Sequence, residues 1–330
     1  MRIVVIGATG NLGTSTLRAF SRDPAMPEVI AVARRKTKLE VPRTKFVQAD
    51  ITQDDLVPLL QGADAVIHLA WLLQPSREHE QLHNVNVEGS RRVFEAAALA
   101  GVPSLVYASS LGAYSTGPKH RFVDESWPTD GIPSSLYSVQ KVAVERRLDR
   151  FERMHPEIRV VRLRPALVFK RVAASEIRRL FLGPLVPRFL FSGRGMRAIP
   201  DLERLRFQCV HSHDAGRAFA LAALSNVRGA FNIATDPVLD PALLAELLRA
   251  RRIRMSEGTL RGAVAAAFHM RLTPTDPGWV DLGLGSPLMD IERARTELKW
   301  EPRRDAGEAL LDLLEGLRDG AGLATAPLHG

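Results

Sequence analysis

The sequence predicts an α/β fold in which a doubly wound parallel sheet is covered by helices on both faces. Two observations carry this prediction. Short apolar runs alternate with helical patterns through the first half of the chain, which is typical of parallel sheets. The first of these runs leads directly into a glycine-rich turn and a helix. With 330 residues, 45% of them hydrophobic and 25% charged, the chain is long enough for one large or two modest cores.

The glycine-rich turn is Gly7-Ala8-Thr9-Gly10-Asn11-Leu12-Gly13. The preceding run, Arg2 to Ile6, predicts a buried strand, and Thr14 to Phe20 predicts the start of a helix. Glycines let the backbone approach a pyrophosphate, and a helix N-terminus offers it unpaired N–H groups. The turn therefore predicts a dinucleotide site, with contacts from Gly7, Thr9, Gly10, Asn11, Leu12 and Gly13. A tight strand-to-helix turn without a ligand is the alternative.

The alternation continues to Pro165. Further strands are predicted at Val29–Ala33, Lys45–Ala49, Ala63–Ala70, Ser104–Ser109 and Ile158–Leu163. Helices are predicted over about 53–60, 78–100 and 136–154. No internal repeat interrupts this order, so a single layered sheet is expected rather than a repeat array.

Beyond Pro165 the pattern changes. Strands are predicted at Phe207–Val210 and Ala230–Ala234, and helices at Ala215–Leu224, Pro241–Arg249 and Ala306–Leu317. We expect a dinucleotide-binding unit from 1–167 plus about 207–234, and a smaller discontinuous substrate-binding unit from about 168–206 plus 235–330. The tail from Gly320 to Gly330 is small and polar and is expected to fray.

Charge and composition narrow the classes of function. The formal net charge is +8, but its arginines have few aromatic residues between them, so a nucleic-acid partner is not predicted. The arginine-rich stretch 170–206 fits either a solvated face or a cationic pocket wall. Cys209 is the single cysteine, which excludes an internal disulfide and fits a reducing cytoplasm. No apolar run approaches the roughly 20 residues of a membrane span, and no spacing indicates a metal site, so neither a membrane nor a metal is expected.

Two short patterns predict chemistry at the carboxyl end of the fifth strand. Tyr137 and Lys141 are four residues apart and share one face of a helix. An ammonium beside a phenol lowers the pKa of the phenol, which lets it exchange a proton near neutral pH. Ser109 and Ser110 follow a predicted strand, where open α/β sheets bind ligands. Taken alone, the Tyr–Lys spacing also fits a surface pair.

In this order, the motifs resemble the extended short-chain dehydrogenase/reductase family, also called the NAD-dependent epimerase/dehydratase family, over about residues 1–315. The resemblance implies a Rossmann-type fold. Besides the glycine turn and the two patterns above, it rests on Asp50-Ile51, His68-Leu69-Ala70, Asn86 to Ser90, Tyr114, Arg164-Pro165, Val210-His211 with Asp214, and Leu298 to Pro302.

The resemblance implies roles for these positions. Tyr137 is the general acid–base, Lys141 binds the nicotinamide ribose and lowers the tyrosine pKa, and Ser110 polarises the reacting C–O bond, with Ser109 as the fallback. The remaining implied positions are Asn86 in the catalytic set, Asp50 and Ile51 at the adenine, and Leu69 and Ala70 on the cofactor. Asn86 also fits a simple helix cap. The family further implies a homodimer packed through the two long helices.

The second strand ends in Ala33-Arg34-Arg35-Lys36, which bears on the choice of cofactor. Relatives that prefer NAD place an acid here for the ribose 2′-hydroxyl. Guanidinium groups suit a 2′-phosphate instead. We therefore expect NADP to be preferred, with Arg34 and Arg35 in contact with it and NAD as the alternative.

Two departures from the family concern the substrate. Phe207 stands where nucleotide-sugar enzymes commonly carry an arginine, and 283–290 lacks their usual Arg-x-Gly-Asp-like segment. With Phe181, Phe189 and Phe191, Phe207 fits either the core or a pocket for a less polar small molecule. The predicted function is NAD(P)-dependent oxidoreduction of a secondary alcohol or carbonyl. The alternatives are a nucleotide-sugar epimerase or dehydratase with tightly held cofactor, and a non-catalytic dinucleotide-binding regulator.

Overall fold

A computed structural model describes residues 1–23, 27–73, 77–183 and 197–329. In chain order the strands in these ranges are β1 (Arg2–Ile6), β2 (Glu28–Ala33), β3 (Thr44–Gln48), β4 (Ala65–His68), β5 (Ser104–Ala108), β6 (Phe122–Val123), β7 (Arg159–Pro165), β8 (Leu167–Phe169), β9 (Ala198–Asp201), β10 (Phe207–His211), β11 (Gly229–Ile233), β12 (Thr235–Leu239), β13 (Arg251–Arg254) and β14 (Leu288–Met289). The helices are α1 (Asn11–Phe20), α2 (Val57–Leu60), α3 (His79–His83), α4 (Gly89–Leu99), α5 (Leu136–Met154), α6 (Ala174–Ile177), α7 (Ser212–Leu224), α8 (Pro241–Leu248), α9 (Glu257–His269), α10 (Gly278–Gly285), α11 (Glu292–Thr296) and α12 (Ala306–Asp319).

Seven parallel strands form the central sheet, in the order β3-β2-β1-β4-β5-β7-β11. The direction of strand order reverses between β1 and β4. Ligands bind outside the carboxyl ends of the strands at such a reversal. The predicted doubly wound parallel sheet is therefore confirmed, and its topology puts the glycine turn and the end of β4 at one crevice.

Helices bury both faces of the sheet, as the apolar runs predict. On one face, Leu17 and Phe20 of α1 pack with Phe219 of α7. On the other face, Val93 of α4 and Leu148 of α5 belong to a second cluster of buried side chains. Strands buried on both sides read as continuous apolar runs, which is why the predicted strands match the observed ones to within two residues at each end.

Two helices differ from the sequence prediction for local reasons. Helix α2 covers only Val57–Leu60, because carboxylates close the turn before it: the Thr52 amide donates to Asp50 Oδ1 (2.9 Å) and the Asp50 amide to Asp54 Oδ2 (2.7 Å). Such side chains compete with helical hydrogen bonds. The long helix predicted over 78–100 is α3 and α4 joined by a π-helical turn at Asn84–Glu88.

Smaller sheets lie beside the central one. Strands β12, β10 and β8 form a three-stranded sheet, and β13 pairs with β9. Leu239 and Cys209 of this region pack against Ala309 of α12 in a separate core. Helix α12 begins with a capping box formed by Asp305 and Glu308. The division into a dinucleotide-binding and a substrate-binding unit stays a prediction.

The expectation that the C-terminal tail frays is wrong for residues 320–329. Leu328 is fully buried, and its carbonyl accepts a hydrogen bond from Ser175 Oγ (2.9 Å). The amide of Leu323 donates to the same carbonyl (2.7 Å), which closes a loop. Burial of the Leu328 side chain beside α6 therefore holds residues 320–329 in place, although their small, polar composition predicts a frayed tail.

Candidate active site

At two positions of the glycine turn, neighbouring backbone packs so closely that there is no room for a side chain. Gly7 has φ +85°, and a Cβ atom there would lie 2.6 Å from the Ala70 amide nitrogen. A Cβ at Gly13 would overlap the backbone of Gly7 and Ala8. At Gly10 a Cβ would meet only the Gly7 carbonyl oxygen, at 3.6 Å. Packing therefore requires glycine at 7 and 13, whereas Gly10 leaves room in front of the α1 N-terminus, as a dinucleotide pyrophosphate needs.

One cleft collects most of the predicted cofactor residues. It is lined by Gly7, Thr9, Gly10, Arg34, Arg35, Asp50, Ile51, Leu69 and Ala70. The other predicted residues of the turn do not line it. Asn11 instead donates through its side chain to the Val168 carbonyl (3.1 Å), and Leu12 packs against the main core. The cleft runs from the glycine turn past the end of β2, which suits an extended dinucleotide.

Three lining residues of this cleft had no signal in the sequence. Glu176 of α6 and Ala326 and Pro327 of the tail form part of its wall. Arg179 donates to the Pro327 carbonyl (2.6 Å). Burial raises the pKa of Glu176 to about 7 against the opposing charges of Arg179 and Lys170. The tail thus adds a wall to the dinucleotide cleft from the far end of the chain.

Tyr137 and Ser110 meet at the carboxyl end of β5. Ser135 caps α5, which places Tyr137 in the first turn of that helix. The Ser110 hydroxyl accepts from the Gly112 amide (3.0 Å) and lies beside the phenol of Tyr137, whose pKa it lowers. Burial raises the pKa of Tyr137 to about 12, although its neighbour Ser110 opposes that shift. The phenol therefore holds its proton at neutral pH.

Lys141 is buried beside Tyr137, but its ammonium is engaged elsewhere. Its Nζ donates to the Ala108 carbonyl (2.8 Å) and lies 3.4 Å above the ring of Trp71. Burial lowers the pKa of Lys141 well below its ordinary value, and nearby Glu145 opposes this. The expectation that Lys141 lowers the tyrosine pKa is wrong for this state, because desolvation of the phenol dominates.

The two adjacent serines have different partners. Ser109 donates to Glu145 Oε1, whereas Ser110 faces Tyr137. Glu145 also accepts two bonds from Arg164, at 2.9 and 2.7 Å. This buried ion pair lowers the pKa of Glu145 despite desolvation. Ser110 is thus the serine beside Tyr137, and Ser109 belongs to the buried network around Glu145.

Asn86 lies in the π-helical turn rather than at a helix start. Its side-chain amide makes two hydrogen bonds with the backbone of Leu72. The Asn86 Oδ1 accepts from the Leu72 N–H (2.7 Å), and the Asn86 Nδ2 donates to the Leu72 carbonyl (2.8 Å). It also donates to Gln140 of α5 (2.8 Å). Both sides of the buried amide are therefore used. Asn86 thus links the segment after β4 to α5, the helix that carries Tyr137.

Aromatic side chains surround the ring of Tyr137. The Trp279 centroid is 5.0 Å from that of Tyr137, and the Trp71 centroid is 5.9 Å from it. Phe181 packs edge-on against Trp279, at 4.8 Å. Of these, only Phe181 is among the predicted candidates. Phe207 lies against the smaller core, and Phe189 and Phe191 lie outside the described residues.

Arg34 and Arg35 are exposed at the end of β2, and neither forms an ion pair within the described part of the chain. The arginine-rich stretch gives a mixed result. Lys170 is buried and donates to the Asn11 carbonyl (2.8 Å) and Thr14 Oγ1 (2.6 Å), while Arg171 pairs with acids of α12. These two cations are structural. Arg188 and Arg194 lie outside the described ranges.

His211 ends β10 and is buried; its Nε2 lies 3.1 Å from Asp312 Oδ2, a structural position. Among residues 1–23, 27–73, 77–183 and 197–329, no group of three or more His, Cys, Asp or Glu side chains is placed to hold a metal ion. None of the helices in those ranges is long and apolar enough to cross a membrane.

Comparison with known proteins adds a second line of evidence. A family model described as the NAD dependent epimerase/dehydratase family matches residues 3–234. An uncharacterized protein of Mycobacterium tuberculosis is 27% identical over 329 residues, 95% of this chain and 83% of that protein. The NAD-dependent glucose-6-phosphate dehydrogenase of Haloferax volcanii is 31% identical over 187 residues, 49% of this chain and 66% of that enzyme.

Among solved structures, the dTDP-glucose 4,6-dehydratase of Streptomyces venezuelae, with NAD bound, is similar in fold. The TM-score is 0.69 at 21% identity, and the match covers 100% of both chains. At this level of identity the likeness shows the fold.

Proposed function

Because this chain belongs to the NAD dependent epimerase/dehydratase family, we propose that it is an oxidoreductase in which Tyr137 exchanges a proton with the substrate oxygen. Ser110 and Lys141 complete the proposed catalytic set. The observation that carries the proposal is the contact of Ser110 with Tyr137 at the carboxyl end of β5, beside a cleft that begins at the glycine turn. A dinucleotide-binding regulator has no use for this pair of hydroxyls.

A nicotinamide dinucleotide held in the cleft at the glycine turn would supply hydride chemistry to the carbon of a carbonyl or secondary alcohol. In the direction of reduction, Tyr137 donates its proton to the carbonyl oxygen, and solvent returns a proton to the tyrosinate. The raised pKa of Tyr137 supports this direction, since the phenol holds its proton at neutral pH. Ser110 donates a hydrogen bond to the same oxygen. The ammonium of Lys141 stabilises the tyrosinate and binds the nicotinamide ribose.

The residues present fit a dinucleotide. The Gly7 and Gly13 main chain brings the α1 N-terminus to the cleft, and the space at Gly10 accepts a pyrophosphate. We propose NADP as the preferred form, because Arg34 and Arg35, exposed at the end of β2, form no ion pair with any described residue, and the sequence places no acid directly after that strand. NAD is the alternative, and the Haloferax relative is named for it.

Purification with and without dialysis tests the reaction type. An oxidoreductase with net turnover releases its cofactor at each cycle, so the dialysed protein should lose near-ultraviolet nicotinamide absorbance and regain it with added NADPH. An internal epimerase or dehydratase returns the hydride within one cycle and keeps its cofactor. Dinucleotide that survives exhaustive dialysis at full occupancy would favour that alternative.

We further propose a homodimer that packs through α4 and α5. Leu99, Val139 and Met154 are exposed on these helices, beside ion pairs between Glu88 and Arg147. Light scattering should give twice the 36.4 kDa chain mass, and a monomer at micromolar concentration would contradict the proposal. A reducing location such as the cytoplasm is proposed from the single buried cysteine, Cys209.

A further inference from the structure

The strongest unassigned feature is the aromatic wall, defined as Trp71, Phe181 and Trp279 around the Tyr137 ring. Trp279 lies 5.0 Å from Tyr137 at an interplanar angle of 35°, and Trp71 lies 5.9 Å away at 74°. Phe181 stands edge-on to Trp279, at 88°. Its members come from three distant segments: the end of β4, the turn after α6, and α10. Three aromatic side chains from separate segments thus form one apolar surface beside Tyr137, the proposed acid–base.

The wall lies at the margin of the protein core, and Trp71 packs against the second cluster of buried side chains. All three side chains of the wall are only partly buried, unlike Trp300, which is fully buried and donates its indole N–H to the Asp214 carbonyl (2.8 Å). The Trp71 Nε1 is buried without a hydrogen-bond partner among the described residues. Partly exposed aromatic rings, and a buried indole N–H without a hydrogen-bond partner, are features of a ligand-binding surface.

Two cations that contact the segment 283–290 donate to main-chain carbonyls. Lys119 Nζ donates to the carbonyls of Arg206 and Gly283, each at 2.8 Å. Arg204 donates to the carbonyls of Leu284 (3.0 Å) and Gly117 (3.1 Å). The Nε of the neighbouring Arg206 is buried without a hydrogen-bond partner among the described residues. A buried diphosphate needs several partners, because half-paired charges are costly to desolvate.

We propose that the substrate is an uncharged ketone or secondary alcohol whose C–O group is carried by a flat, apolar ring, and that Trp279 is the residue that selects the ring. This inference rests on the proposed oxidoreductase function and names its substrate class. The ring packs on Trp279 and the edge of Phe181, while the C–O group meets the hydroxyls of Tyr137 and Ser110. Aromatic faces prefer flat partners, in offset-stacked or edge-on geometry.

A matched pair of ketones tests ring selection. Acetophenone and acetylcyclohexane carry the same acetyl group on a flat ring and on a puckered one. Oxidised NADP with a ketone is a non-reacting pair, so tryptophan fluorescence and thermal shift report binding alone. Acetophenone should bind roughly three- to tenfold more tightly than acetylcyclohexane. UDP-glucose serves as the nucleotide-sugar probe and should bind more weakly than acetophenone.

Variants then locate the selection. Trp279→Ala should weaken acetophenone binding by roughly tenfold and abolish the preference for the flat ring, whereas Trp279→Phe should keep the preference. Trp127→Phe, a tryptophan whose Nε1 donates to the Ser115 carbonyl, is the control and should change neither. NADP affinity and melting temperature verify that each variant is folded. If Trp279→Ala does not fold, Phe181→Leu is the second variant. It should reduce the preference for acetophenone over acetylcyclohexane by half or more.

Two results would overturn the inference while leaving the proposed function intact. One is tighter binding of UDP-glucose than of acetophenone to the NADP complex. The other is an unchanged ketone preference in both Trp279→Ala and Phe181→Leu. Failure of the proposed function gives a different result, since the NADP complex would then still bind acetophenone with the flat-ring preference, but no ketone would cause oxidation of NADPH.

Discussion

The two halves of the active-site cleft are built by different means. The dinucleotide half is formed by main chain, with Gly7 and Gly13 so tightly packed that neither admits a Cβ. The proposed substrate half is formed by partly buried side chains from distant segments: Trp71 and Trp279 contact the ring of Tyr137, and Phe181 contacts Trp279. A main-chain surface tolerates little change and holds one class of ligand. A side-chain surface is altered by single substitutions, so a family with one cofactor fold can serve many substrates.

The largest expected effect lies in the main-chain half. Gly13→Ala places a Cβ against the backbone of Gly7 and Ala8, and backbone cannot move aside cheaply. We expect a loss of about 3 kcal/mol in the free energy of unfolding, measured by urea denaturation.

Gly10→Ala is the matched control, because its Cβ meets only one oxygen, at 3.6 Å. It should unfold at nearly the same urea concentration as the unmutated protein but bind dinucleotide more weakly in calorimetry. Equal destabilisation by the two substitutions would contradict the distinction between packing and ligand space.

The cofactor preference gives an intermediate effect. Replacing Arg34 and Arg35 together by Ala should weaken NADP(H) binding by about tenfold to a hundredfold, since a charge-assisted hydrogen bond is worth roughly 1.5–3 kcal/mol. NAD(H) binding should change little, because NAD lacks the 2′-phosphate. Calorimetry with both cofactors measures this directly. Equal or tighter NAD(H) binding to the unmutated protein would refute the NADP preference.

The smallest effect concerns the tail. Leu328→Asp buries a charge where Leu328 is fully enclosed, so the tail should detach and take Ala326 and Pro327 out of the cleft wall. Dinucleotide dissociation should then be several-fold faster in stopped-flow fluorescence. His329→Ala, at an exposed neighbour, should leave the rate unchanged. An unaltered dissociation rate in Leu328→Asp would show that the tail does not contact the cofactor.

The comparison also explains what the sequence reveals. Gly7, Ser110, Tyr137 and Lys141 lie in short motifs, where one element fixes their relation, so the fold and the proposed catalytic set are predictable from local pattern. Strand β1 and helix α5 match their predicted bounds without error. Motifs of this kind carry their geometry with them.

The substrate half and the tail escape such reasoning. Trp279 reaches Tyr137 from 142 positions away in the chain, a separation that follows from their numbers, and Pro327 reaches the glycine turn from the opposite terminus. Neither residue lies in a short sequence motif that would predict its place in the cleft. The pKa of Tyr137 is likewise unpredictable from spacing, because it depends on how deeply the phenol is buried and on its neighbour Ser110.

The measurement that tests the central claim most directly is hydride and proton transfer in Tyr137→Phe. NADPH carrying deuterium at the donating carbon, supplied with a ketone that the unmutated enzyme reduces, should give a deuterated alcohol. Tyr137→Phe keeps the ring within the aromatic wall but removes the proton, so turnover should fall by at least roughly 100-fold, while calorimetry shows NADPH affinity unchanged. Turnover near that of the unmutated enzyme would contradict the role of Tyr137 as the acid–base.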